Sequence, residues 1–193
     1  MARVRTHSTI RTFILIAIVA AVLIAVPSVM PHISNAFLYP ISHESAIEAS
    51  CERHGVDPYL VCAVIACESG WDEHAISDAG AEGLMQVMPE TAQTMVSFGL
   101  VDPGRFPVDD LATPATNIEY GCAYLGYLSG EFETVEQVIA AYNAGTMPVR
   151  LWVAEGGDFM DAIEYRETRV YVTRVLVSYE GYRASYLEIL SDW

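Results

Sequence analysis

The chain has 193 residues, 52% of them hydrophobic, and a formal charge of −15 from 25 acidic residues against 10 arginines, with no lysine. That length holds one domain plus an appendage. An acid excess of this size argues against nucleic acid and anionic membrane faces as ligands, so a polymer substrate would be gripped by hydrogen bonds and stacking.

The appendage comes first. Arg3, Arg5 and Arg11 precede an unbroken apolar run, Phe13 to Val26, followed by Pro27 and Pro31. A basic flank before an apolar core marks an export signal, with the arginines on the cytoplasmic side. The run alone suits a signal core; extended to Met30 it reaches the length of a short membrane span. Ser34-Asn35-Ala36 offers a small-x-small cleavage triplet. The reading favours an uncleaved anchor: residues 1–36 as signal or anchor with its linker, and residues 37–193 as the exported domain. Residues 1–36 hold three arginines and no acid, so the remainder carries seven arginines against 25 acids, a formal −18.

Ser45 to His54 reads as a helix stopped by Gly55. Asp57 caps a second helix with Pro58 at its first position. That helix, Tyr59 to Glu68, is apolar all round (Leu60, Val61, Ala63, Val64, Ile65), which predicts a central, buried element. Residues 70–88 carry Gly70, Asp78, Gly80 and Gly83 and read as an irregular or hairpin segment, with the small strand content confined there. Pro89 starts a short helix to Val96, and residues 99–113 form an acidic loop. Thr113 and Pro114 open a helix to Tyr127. Thr134 and Gln137 make a capping box for a helix that ends at Asn143-Ala144-Gly145. A short helix spans about Pro148 to Ala154. The last starts near Tyr165, with Val172, Val175, Leu176 and Tyr179 at helical spacing.

Cys51, Cys62, Cys67 and Cys122 match no zinc spacing and have no histidine pair beside them. In an exported domain a disulfide is permitted. Four cysteines allow three pairings, and the spacing does not choose among them.

The chemistry is concentrated after the second helix. Glu68 follows an apolar run and precedes a loop of small and polar residues. A carboxyl there tends to stay protonated near neutral pH, because a low dielectric penalises the charged form, and a neutral carboxylic acid in a cleft is what a general acid requires. A carboxylate at a helix C-terminus is also disfavoured by the macrodipole, so its placement needs another reason.

The run Glu68-Ser69, Ser77, Gly80-Ala81, Gly83-Leu84-Met85-Gln86, Met88-Pro89 and Thr91-Ala92 resembles the Slt-type soluble lytic transglycosylases, lysozyme-like enzymes that cleave peptidoglycan glycan strands. Asn117 with Gly121, Tyr124 and Leu125, then Ala141-Tyr142-Asn143-Ala144-Gly145, then Tyr165, Glu167-Thr168-Arg169 and Tyr171-Val172, resemble that family's remaining motifs in order. The resemblance covers about residues 42–180. Trp71 stands where an aromatic, often Phe, is expected, and Glu164 where a Pro commonly precedes the last motif.

The resemblance implies a mainly α, lysozyme-like fold with the small irregular or hairpin segment at residues 70–88. It implies Glu68 as the sole catalytic acid and base, and no metal or organic cofactor. Ser77 matches the family serine that hydrogen-bonds the sugar; on spacing alone it is a turn residue. Gln86 bonds either the glycan or the backbone near Glu68. Met88 is core or groove wall. By resemblance Tyr142 lies near the catalytic carboxyl, although a tyrosine packed with its hydroxyl capping a helix end fits as well, and Glu167 lies at the sugar groove, although an acid also suits a helix N-terminus. Asn117, Tyr120 and Tyr124 either line the groove or pack in the core.

The implied reaction is non-hydrolytic cleavage of the MurNAc-GlcNAc bond, leaving a 1,6-anhydro end. Its partners are then glycan strands, and the cytoplasmic membrane through residues 13–30 if uncleaved, with no nucleic acid. Two alternatives stay open. One is a hydrolytic muramidase using Asp72, Glu73, Asp78 or Glu82 as a second carboxylate. The other is a non-catalytic wall-binding scaffold, against which the intact Glu68, Ser77, Gln86 and Tyr142 argue.

Overall fold

A computed structural model of the chain describes residues 38–186. The expected anchor, cleavage triplet and extreme C-terminus lie outside the described residues. The unit that begins at Ile41 is helical: α1 (Glu44–His54), α2 (Pro58–Glu68), α3 (Pro89–Ser97), a 3-10 turn (Val108–Asp110), α4 (Pro114–Glu131), α5 (Val135–Ala144), α6 (Thr146–Glu155), α7 (Phe159–Ala162) and α8 (Arg166–Tyr186). Among the described residues no helix is long and apolar enough to cross a membrane.

The helix boundaries follow local chemistry. Gly55 stops α1 in the left-handed region at φ 66°, which costs glycine little. Asp57 accepts from Tyr59 N at 2.8 Å, and Pro58 occupies the first turn of α2, where its missing N–H is no loss. The Thr134–Gln137 capping box is present at the start of α5. Helix α4 runs four residues past the expected Tyr127, because Leu128 still faces the core. Helix α7 is not legible in the sequence; Asp158 starts it by accepting from Met160 N and Asp161 N.

Helix α2 is the centre. Leu60 through Ile65 are all buried, at 5% exposure or less, as expected of a helix apolar on every face. It packs chiefly on α8, while α1 packs on α4 and α5 on α8. Fully burying a large aliphatic side chain contributes about 1.5–3 kcal/mol, so α2 is fixed mainly by its surroundings. Asp57 adds a polar tie, accepting from the Tyr179 hydroxyl of α8 at 2.6 Å. All four cysteines are free thiols, so the disulfide that the composition permitted is not formed. Burial pushes the Cys62 and Cys122 thiols upward in pKa, as expected of small core residues.

One charged cluster is buried between α1 and α4. The Glu119 side chain is 3% exposed and meets Ser50, Arg53 and His54, which share one face of α1. Ser50 donates to it at 2.6 Å, Arg53 Nε donates at 3.1 Å, and His54 Nε2 lies 3.0 Å away. Burial opposes the charge, but these contacts overcome it and hold the carboxyl down at about 2, from an ordinary 4.5.

A folded-state value below the unfolded one means that the unfolded chain binds protons more readily as pH falls. The network's contribution is therefore complete above pH 4.5 and is lost as pH drops from there towards 2. It is worth about 3 kcal/mol by linkage. Glu119→Gln should lower the unfolding free energy at pH 7 by roughly 3 kcal/mol, since it leaves Arg53 facing an uncharged group. In urea titrations that deficit should shrink as pH falls below 4.5. A deficit that stays constant down to pH 3 would show that the carboxylate charge is not what the network uses.

Candidate active site

Glu68 is the last residue of α2, and the chain turns sharply after it. The Ser69 hydroxyl donates to Leu84 O at 2.8 Å and accepts from Trp71 N at 3.2 Å. Gly70 and Trp71 follow at φ 61° and 70°. The left-handed region costs a non-glycine residue about 1–2 kcal/mol. Trp71 offsets this by donating its indole N–H to the Tyr182 hydroxyl of α8 at 2.9 Å.

The segment expected to be irregular or hairpin-like has two isolated antiparallel bridges, Ile76 with Glu82 and Glu82 with Val87. Ser77 closes its tip. Its N–H donates to Ala81 O at 3.0 Å, and its hydroxyl oxygen accepts from Ala81 N at 2.9 Å. The hydroxyl is thereby fixed while its own proton remains available to donate. Gln86, at φ 48°, donates its amide to Ala75 O at 3.1 Å and Gly83 O at 2.9 Å. Of the two roles open to Gln86, the structure shows backbone support of the loop.

Two expected groove residues lie inside. Asn117 is 0% exposed and uses its whole amide: Oδ1 accepts from Met85 N at 2.7 Å, and Nδ2 donates to Glu82 O at 2.7 Å and Leu111 O at 2.9 Å. A Cβ on Gly83, at φ 71°, would sit 2.6 Å from that amide, so the loop and the asparagine need a glycine there. Tyr120 is also 0% exposed and donates to Phe106 O at 2.8 Å. Neither can touch a ligand. Their residue types suit the groove or the core, and burial of α4 on every side through residues 116–123 decides for the core.

The Glu68 carboxyl meets α8. Tyr171 donates its hydroxyl to Oε1 at 2.6 Å. Burial raises the Glu68 pKa above the ordinary carboxylate range; the Tyr171 hydrogen bond and the Arg174 charge pull the other way without cancelling it. Arg174 also reaches Cys67 O at 3.4 Å. The Tyr142 hydroxyl donates to Met85 O at 2.8 Å rather than to Glu68. The Glu68 charge is nevertheless close enough to add to the upward push that burial gives the Tyr142 pKa.

From Tyr142 an aromatic row continues through Tyr124, Tyr127 and Phe98, with ring centres 5.3, 6.5 and 5.4 Å apart in turn. Beside Tyr171 opens a cleft of about 410 Å³ lined by Asn143, Arg166, Glu167, Val170, Tyr171 and Arg174. Glu167 therefore stands at a groove next to the acid. Thr168 donates to Asn143 Oδ1 at 2.8 Å, tying the end of α5 to α8. Met88 is half-buried at the N-cap of α3.

Ser69, Tyr171 and Arg174 surround Glu68 without having a role assigned from the sequence, although Ser69 and Tyr171 stand in its motifs. A signal exists for two of them: Tyr171 is four residues after Glu167 and Arg174 three after Tyr171, so one helical stripe holds all three. None of the loop acids is among the groups that set the Glu68 pKa, which are burial, Tyr171 and Arg174. Glu73 faces His43 at 3.5 Å and His74 at 3.6 Å, Asp72 accepts from His74 N at 2.9 Å, and Asp78 is exposed. Among the described residues no group of three His, Cys, Asp or Glu could hold a metal ion.

A helical domain with, among the described residues, one buried, elevated carboxyl bonded to a tyrosine of the cleft wall has the organisation of a lysozyme-like domain. The transglycosylase SLT domain model matches residues 45–164, and the chain belongs to that family. The soluble lytic murein transglycosylase of Escherichia coli K12 is 32% identical over 151 residues, 75% of this chain and 23% of that protein. Membrane-bound lytic murein transglycosylase C of Edwardsiella ictaluri is 35% identical over 126 residues, 61% of this chain and 35% of that protein. The crystal structure of the 70 kDa soluble lytic transglycosylase of E. coli superposes with a TM-score of 0.70 at 32% identity, over 76% of this chain and 25% of that one. An inactive mutant of the Pseudomonas aeruginosa lytic transglycosylase Slt gives 0.69 at 30% identity, over 77% of this chain and 25% of that one. The chain thus spans about a quarter of the length of the soluble relatives it matches.

The electrostatics of Glu68 are open to direct measurement. Tyr171→Phe removes a hydrogen bond that favours the ionised form, and Arg174→Gln removes a favourable charge. Both substitutions should raise the Glu68 pKa further, read as a shifted side-chain carboxyl titration in carbon-13 NMR. A downward shift in either variant would mean that the group removed does not favour the ionised carboxyl.

Proposed function

We propose that the chain is a lytic transglycosylase that cleaves the β-1,4 bond between N-acetylmuramic acid and N-acetylglucosamine in peptidoglycan without consuming water. The observation that carries this reading is the buried, elevated Glu68 carboxyl beside the cleft, the one such carboxyl among the described residues. Because Oε1 accepts from Tyr171, the acid proton belongs on Oε2, free to be donated. It passes to the glycosidic oxygen as the bond to the muramic anomeric carbon breaks, and the N-acetylglucosamine side leaves as an alcohol. The 2-acetamido carbonyl shields the positive charge left on that carbon. The Glu68 carboxylate then takes the proton of the same sugar's 6-hydroxyl, whose oxygen closes onto the anomeric carbon. The acid is regenerated, and the product carries a 1,6-anhydro end.

One carboxyl suffices for this cycle, because it acts first as acid and then as base. A pKa above the ordinary carboxylate range suits both halves, since the group must be protonated before the cleavage and ionised after it. The fixed Ser77 hydroxyl, the Met88 side chain, Tyr142 and Glu167 are the proposed substrate contacts, and the row from Tyr142 to Phe98 supplies faces for sugar rings. Gln86 and Asn117 act on the loop behind them. We further place the domain outside the cytoplasmic membrane, held there by residues 13–30.

Glu68→Gln keeps the shape and loses the proton. It should fold like the wild type and lower muropeptide release by at least about a thousandfold. Mass spectrometry of the soluble products should find anhydro-muramic ends from the wild type only. Reducing ends would move the reading to a muramidase, and wild-type rates from the variant would remove Glu68 from the mechanism.

A further inference from the structure

The cleft wall carries a charge that the overall composition conceals. In a chain with 25 acids and 10 arginines, an arginine on the surface is expected to find a carboxylate. Arg53, Arg150 and Arg183 do, against Glu119, Glu131 and Glu180. Arg169 donates to the carbonyls of Asp161 and Ile163, and Arg105 lies over the Phe106 ring. Arg166 and Arg174 have no carboxylate within ion-pairing distance among the described residues. Both line the cleft beside Tyr171, where one glutamate, Glu167, opposes two arginines. They lie eight residues apart on α8 with Val170 between them, on one face of the helix.

We propose that Arg166 and Arg174 form an anion subsite for the carboxylates of the peptide stems borne by the glycan. The inference rests on the function proposed above. In a peptide-bearing strand the sugars supply no such charge: they are N-acetylated, and the lactyl carbonyl of each muramic acid is an amide. The anionic groups are on the stem. Eight helical residues separate the two arginines by about 12 Å along the axis, a length that three or four residues of extended peptide span at roughly 3.3–3.6 Å each. Guanidinium groups take carboxylates in a bidentate fork, which fixes orientation as well as adding energy. Arg174 reaches the carbonyl beside Glu68, so a stem held along this wall is anchored close to the reacting sugar.

The test uses the full chain carrying Glu68→Gln, which binds without turnover. The probes are glycan strands bearing uncrosslinked stem peptides, and the same strands after carbodiimide amidation of their carboxyl groups. Amidation should weaken binding about tenfold for each arginine deprived of its carboxylate. Arg166→Gln and Arg174→Gln, added singly, should each weaken binding to the native strands by about tenfold and leave binding to amidated strands unchanged. Arg166→Lys should recover part of the affinity, because it restores charge without the fork.

Equal dissociation constants for native and amidated strands would overturn the subsite. So would arginine variants that bind native strands as the parent does. Wild-type turnover of the same strands is followed in parallel. Absence of anhydro ends there would sink the transglycosylase reading, while the binding comparison would still decide on the arginines.

Discussion

The site depends on the hydrogen bonding of a four-residue stretch, Glu82 to Met85, whose polar backbone is consumed from several directions. Glu82 N donates to Val87 O, and Glu82 O accepts from both Val87 N and the Asn117 amide. Gly83 N donates to Ala75 O, and Gly83 O accepts from Gln86. Leu84 O accepts from Ser69, Met85 N donates to Asn117, and Met85 O accepts from Tyr142. A buried backbone group without a partner costs about 1–3 kcal/mol, so this stretch is tolerable in the interior only because the end of α2, α4, α5 and the hairpin each contribute a partner. The consequence for chemistry is positional. The residue after Glu68, the amide of Asn117 and the hydroxyl of Tyr142 are all fixed to one backbone, so the acid cannot move independently of the loop that faces it.

Within that frame, the ionisation of Glu68 is a contest in which burial wins. The carboxyl sits at the C-terminal end of α2, where the helix dipole opposes negative charge, and the apolar body of the same helix excludes water behind it. Tyr171 and Arg174 moderate the outcome from α8. They matter because the proposed cycle needs the ionised form as well as the neutral one. A carboxyl pushed up by burial alone would donate its proton once and resist remaining charged while the 6-hydroxyl approaches. The same Tyr171 hydroxyl leaves only one carboxyl oxygen free to serve as the acid.

Legibility in the sequence divides along the same line between local and non-local causes. The cap of α2 at Asp57 and Pro58, the box at Thr134 and Gln137, and the stop at Gly55 are readable because each is satisfied within a few residues. Glu68 is readable because its apolar predecessors are adjacent in the chain. Tyr171, which completes the carboxyl's environment, is 103 positions away, and only the fold brings it there. Asn117 and Tyr120 show the opposite failure. Their residue types suit a groove as well as a core, and periodicity does not separate the two on a helix buried through residues 116–123. Glu119, in the same helix, has its partners Ser50, Arg53 and His54 delivered by α1, more than sixty positions away.

Net charge is a poor guide to the field at this cleft, for a related reason. Composition sums every carboxylate equally, but Asp72 and Asp78 of the hairpin are exposed and Glu73 lies beside histidines, and charges separated by more than a Debye length of about 8–10 Å are largely screened. Burial raises the Glu68 pKa above the ordinary carboxylate range, which favours its neutral form. The charges that a ligand in the cleft meets at close range are Arg166, Arg174 and Glu167. An acidic exterior and a locally cationic wall are therefore compatible. The proposed ligand, a stem carboxylate, meets the second at close range, where the distant carboxylates of the first are screened.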